Sequence, residues 1–143
     1  SGRSAYSGVH IPNRPPMKEA IRRIDPDAEF HTDELCYINE LSNTPDDPEL
    51  SIARARVAPG IVTRWHRLAG TTERYVIIEG RGRIEVGRLA PQEVGPGDVV
   101  IIPPLCPQRI TNLGPDDLVF LAICTPRFTQ EAYEDIEHDV AGN

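Results

Sequence analysis

Between Glu34 and Arg127 the chain is a succession of short apolar or alternating runs: LCYINEL, LSIARARVA, VTRWHRL, ERYVIIE, GRIEVG, DVVIIP, QRITN and LVFLAIC. Between them lie NTPDDP, APG, LAGTT, EGRG, LAPQEVGPG, PPLCP and NLGPDD, segments whose Gly, Pro, Asn and Asp favour turns and interrupt helices. Runs this short cannot each bury a face alone. They must pack against a second sheet, so the punctuation predicts an all-β sandwich or barrel. With 143 residues there is material for one such core.

The flanks read differently. Residues 1–16 are rich in Ser, Gly and Pro without periodicity and are read as a flexible arm or an expression-derived segment, leaving 17–143 as the single domain. Ala20, Ile21 and Ile24 have helical spacing, which predicts a short helix over 17–24 stopped by Asp25-Pro26. At the other end TQEAYEDIEHDV places Tyr133, Ile136 and Val140 on one helical face behind Thr129 as N-cap, which predicts an external C-terminal helix.

Composition narrows the partners. The formal charge of -7 argues against a phosphate-backbone partner, and no apolar run approaches the roughly 18 residues of a membrane helix. The expectation is a protein of the cytoplasm that binds neither nucleic acid nor membrane. Cys36, Cys106 and Cys124 are odd in number and lack short paired spacing, which fits free thiols. Cys36 and Cys124 read as small buried hydrophobes, and Cys106 as a thiol two residues from Gln108.

The stretch Gly60 to Leu68, followed by Glu73 and Gly80, carries the strongest motif. Gly60 stands five intervening residues before His66, and Glu73 six before Gly80. A second set, Gly97, Pro103, Leu105, Gln108 and Asn112, follows at matching spacing. Over residues 60–112 the chain resembles the cupin superfamily. The resemblance implies a cupin-type double-stranded β-helix, or jelly-roll barrel, with a short N-terminal extension and a C-terminal helix. It also implies a homodimer, for which the LCYINEL edge is the expected pairing strand.

By the same resemblance the ligand positions of a divalent metal fall on His66, Leu68, Glu73 and Gln108, where the family pattern has His, His, Glu and His. Leu68 cannot ligate and an amide is a weak donor, so the implied Fe, Mn, Zn or Ni site rests on His66, Glu73 and Gln108. Strand alternation sets Arg64, His66 and Leu68 on one face and Glu73, Tyr75 and Ile77 on another, with Gln108, Ile110 and Asn112 beside them. His66, Glu73 and Tyr75 are then the candidate catalytic groups. Arg64, Tyr75 and Gln108 are the candidate substrate contacts, for a small oxygenated organic acid or sugar acid. Three readings follow from this set: a metal enzyme of dioxygenase, isomerase or lyase type, a metal-free isomerase using His66 and Tyr75, and a metal-free binding module. Arg54 and Arg56 share a strand face and read as a solvated or interfacial pair, with a substrate clamp as the alternative.

Overall fold

The computed structural model describes residues 17–141. Eleven strands run in chain order: β1 (Phe30–His31), β2 (Tyr37–Ser42), β3 (Ser51–Val57), β4 (His66–Leu68), β5 (Thr72–Glu79), β6 (Gly82–Val86), β7 (Gln92–Val94), β8 (Val99–Ile102), β9 (Gln108–Asn112), β10 (Leu118–Thr125) and β11 (Tyr133–Asp135). They form two sheets, six-stranded in the order β1-β2-β3-β10-β5-β8 and five-stranded in the order β11-β4-β9-β6-β7. All the strand pairs are antiparallel. This is the all-β jelly roll expected from the punctuation, and each of the eight runs holds a strand.

Alternation decides what each strand buries. Ser51, Ala55 and Val57 on β3, Glu73, Tyr75 and Ile77 on β5, and Gln108, Ile110 and Asn112 on β9 are buried, while the residues between them are less so. Val57, Ile77, Ile102, Ile110 and Leu118 are the tightest of the apolar core. Arg54 and Arg56 face outward, each paired with Glu29, and Arg56 also reaches Asp117 and lies over the Tyr37 ring.

Two motif positions show why the spacing matters. Gly80 has φ +83 and an added Cβ would lie 2.6 Å from the Asp117 carbonyl oxygen, so only glycine fits. Asn112 donates to the carbonyls of Val57 and Asp116 and accepts from the Gly114 amide, locking the turn that leads into β10.

The N-terminal flank and one turn differ from expectation, and the expected C-terminal helix is present but short. Residues 17–24 form no helix; after them only a 3-10 turn forms, at Pro26–Ala28. Ile21 is 81% exposed and Ile24 56%, so the spacing has no surface to bury against and cannot offset the cost of nucleating a helix. The C-terminal segment is helical only at α1 (Glu137–Ala141), behind a 3-10 turn at Gln130–Ala132. Tyr133–Asp135 instead adds a strand to the β4 edge, where its backbone groups find ladder partners. LAPQEVGPG, read as a turn, contains β7. The edge assigned to dimerisation is partly covered, because β2 has β3 on one side and β1 paired at Tyr37 and Ile38 on the other. Residues 1–16 lie outside the described part, as does His10, which the sequence leaves without a role.

Candidate functional site

His66 opens β4 and pairs in register with Gln108 at the start of β9. Glu73 lies on β5 in the other sheet, opposite Cys124 and Ile102. The three motif residues therefore meet where one end of the barrel closes. Gln108 bridges the sheets by donating from Nε2 to Glu73 Oε1 at 2.9 Å, and the Tyr75 hydroxyl donates to Gln108 Oε1 at 2.5 Å. Cys124 Sγ is 3.6 Å from the second Glu73 oxygen and donates to it. Tyr75, Gln108 and Glu73 thus form one buried chain of hydrogen bonds ending on a carboxylate.

His66 turns the other way. Its Nδ1 is 2.7 Å from the Arg64 carbonyl oxygen, which only accepts, so Nδ1 carries hydrogen. Nε2 faces Glu34 Oε2 at 3.4 Å. Glu34 Oε1 accepts from Cys36 Sγ at 3.2 Å. The imidazole stacks on the Tyr133 ring, with centroids 5.4 Å apart and planes at 24°.

A cavity of about 390 Å³ opens at this end of the barrel. Glu34, Glu73, Cys124, Ser51 and Tyr133 line it, Asp33 and Glu40 add two more carboxyls, and Phe30, Ile38, Ala53, Ala122 and Phe128 supply apolar wall. His66, Tyr75 and Gln108 are buried and are not among the lining residues. No Lys or Arg is among the lining residues.

Burial sets the proton affinities here. It raises the Glu73 carboxyl above the usual carboxylate value, against the opposing pull of a His66 charge and of the Gln108 and Cys124 hydrogen bonds. It holds the Tyr75 hydroxyl well above its ordinary value, with the Glu73 charge adding to the effect. Cys36 and Cys124 are raised by burial and by their neighbouring carboxylates, so both thiols stay protonated and serve as donors.

Arg64 does not join the cavity. Its run becomes a strand only at His66, so the alternation that set Arg64 beside it does not apply, and its guanidinium pairs with Asp135 at 2.7 Å. Cys106 packs against the apolar cluster beside Gly87 and does not line the cavity. His31 lines the cavity, and its ring meets Tyr37 edge-on. Sequence reasoning singled out neither Glu34 nor Tyr133 for the site. Glu34 sits in the β1–β2 connection with no motif around it, and Tyr133 was placed on a helix that is a strand.

The donor set differs from that of a cupin metal centre. Leu68 is buried and has no donor atom. The oxygen of Gln108 is taken by Tyr75, and its NH₂ points at Glu73. Among the described residues no three His, Cys, Asp or Glu side chains converge at ligand spacing. A metal does not fit the residues present: Gln108 and Glu73 are tied to each other, and His66 is engaged by the Arg64 carbonyl and Glu34.

The comparisons agree with the fold. The model of the cupin domain matches residues 53–124, just over half of the sequence, and the chain belongs to the cupin family. It is 36% identical over 87 residues to the uncharacterized protein MJ1618 of Methanocaldococcus jannaschii, a match covering 61% of this chain and 69% of that one. In three dimensions it is similar to KdgF from Halomonas sp., at TM-score 0.63 and 16% identity, over 72% of this chain and 89% of that one. It is likewise similar to Pac13 of Streptomyces, a nucleoside dehydratase, at TM-score 0.66 and 12% identity, over 82% of this chain and 92% of that one. The fold is therefore one that carries enzymes. Among the described residues no helix is long and apolar enough to cross a membrane.

Proposed function

We propose that this cupin is a small-molecule enzyme that moves a proton on an oxygenated substrate, with Glu73 as the acid–base group. The observation that carries this reading is the position of Glu73. Its carboxyl lies on the cavity wall yet is only 8% exposed, and donors from Gln108 and Cys124 fix its direction. A desolvated, oriented carboxylate beside a ligand-sized cavity is suited to take a proton from a C–H next to a carbonyl. Returned to the former carbonyl carbon, while the hydroxyl proton passes to the former carbonyl oxygen, that proton completes an isomerisation. If a hydroxyl on the next carbon leaves with a proton as water, the result is a dehydration. Tyr75 and Gln108 act as positioning residues, and Glu34, which faces His66, adds a second carboxyl to the same wall.

The test is proton exchange. Hydroxycarbonyl compounds incubated with the protein in deuterated water should acquire deuterium next to the carbonyl, seen by NMR. Glu73→Gln should slow the exchange by about 10²–10⁴-fold, while chelator should leave it unchanged. Exchange at the wild-type rate in Glu73→Gln, or exchange abolished by chelator, would overturn the proposal.

A further inference from the structure

The Tyr133 hydroxyl is a buried polar atom with no hydrogen-bond partner. Tyr133 lines the cavity, and its ring is held by stacking on His66 and by the pairing of β11 with β4 at Leu68. A buried hydroxyl without a partner destabilises the ligand-free fold. The loss is recovered when something entering the cavity accepts its hydrogen. Burial raises the Tyr133 hydroxyl well above the ordinary phenol value, so it enters any such contact as a donor.

The remaining lining defines what can enter. Glu34, Glu73, Asp33 and Glu40 offer carboxyl oxygens, and apart from His31 no basic side chain stands among the described lining residues to receive a negative charge. Arg64, the guanidinium expected there, is engaged by Asp135 outside. An acid would bring its charge into a partly desolvated site that already holds several carboxyls. A neutral polyhydroxy compound gives hydroxyl donors to those carboxyls and a carbonyl oxygen to Tyr133.

We infer that Tyr133 is a substrate-binding residue whose hydroxyl receives a carbonyl oxygen, and that the cavity takes uncharged hydroxycarbonyl compounds of sugar size and rejects the corresponding acids. This rests on the reading of Glu73 above, and it reverses the expectation of an organic-acid substrate. With the carbonyl on Tyr133, the developing enolate oxygen has a donor as Glu73 removes the neighbouring proton.

The experiment compares uncharged ketoses (dihydroxyacetone, erythrulose, xylulose) with the acids glycerate, threonate and xylonate. Each is tested on wild type and Tyr133→Phe by thermal shift and saturation-transfer NMR, and by the deuterium exchange described above. The expected result is ketose binding and no acid binding to wild type. In Tyr133→Phe the ligand-free melting temperature rises, because the orphaned hydroxyl is gone, while ketose affinity falls about tenfold, the equivalent of one hydrogen bond. A residue with a purely structural role would not move these two readouts in opposite directions. Acid binding without ketose binding, or undiminished ketose affinity in Tyr133→Phe, overturns this inference alone where Glu73-dependent exchange persists. Silence of both compound sets on wild type, in binding and in exchange, overturns it together with the acid–base reading.

Discussion

The two ends of the barrel are built from the same strands with opposite chemistry. Along β10 the inward residues run from Leu118 and Phe120 to Ala122 and Cys124, and their partners on β3 run from Val57 and Ala55 to Ala53 and Ser51. On β5 the series is Ile77, Tyr75, Glu73. One end is therefore large and apolar, and the other small and polar. Large side chains interdigitate and leave no space, whereas Ala53, Ala122, Ser51 and Cys124 leave the room that becomes the cavity. The strand ladder holds the fold regardless of side chain, so the chain can give up packing at one end for a site without losing the barrel.

That contrast can be broken most sharply at Glu73. Glu73→Gln removes the carboxyl from the polar end and should cost nearly all exchange activity. Its effect on stability has the opposite sign. The folded carboxyl binds its proton more tightly than the unfolded one. The native state is therefore favoured at low pH and loses stability as pH rises from the unfolded value through the folded one. Glu73→Gln should flatten that fall and melt higher than wild type at pH 8, checked by thermal denaturation across pH 4–8. A lower melting temperature at every pH would show that the carboxylate stabilises the fold.

At the apolar end Leu118→Ala should cost about 3–5 kcal/mol in urea unfolding, since Leu118 is fully buried. Ser51→Ala, at the polar end, should cost less, about 1–2 kcal/mol, through loss of its hydrogen bond from the Phe128 amide. Equal costs would remove the distinction between the two ends. A smaller effect is expected at Leu105, a non-glycine residue held in the left-handed region at φ +62. Leu105→Gly should raise stability by up to about 1 kcal/mol by relieving left-handed strain, partly offset by the entropy that glycine adds to the unfolded chain. The smallest effect on the site is expected from Arg64→Ala, which should leave ketose affinity and exchange within about twofold of wild type, because Arg64 lies with Asp135 outside the cavity.

The barrel was legible in the sequence because turn residues and short apolar or alternating runs are local signals, and they mark eight of the eleven strands. The motif spacing also located His66, Glu73 and Gln108 at one end, since register carries spacing directly into space. Alternation failed where no strand forms: Arg64 precedes β4 and escapes its parity. Helical spacing misled at 17–24 and at Tyr133, because periodicity cannot say whether a partner surface exists. Glu34 was invisible for a related reason. It reaches His66 through the path of the β1–β2 connection, which no local pattern encodes.

The most direct measurement of the central claim is a carbon-13 NMR titration of the glutamate carboxyls in wild type and Glu73→Gln. The expected result is a resonance, missing from the variant, that titrates above the ordinary glutamate range. A Glu73 resonance titrating at or below that range would contradict the claim that the polar end of this barrel holds a desolvated acid–base group.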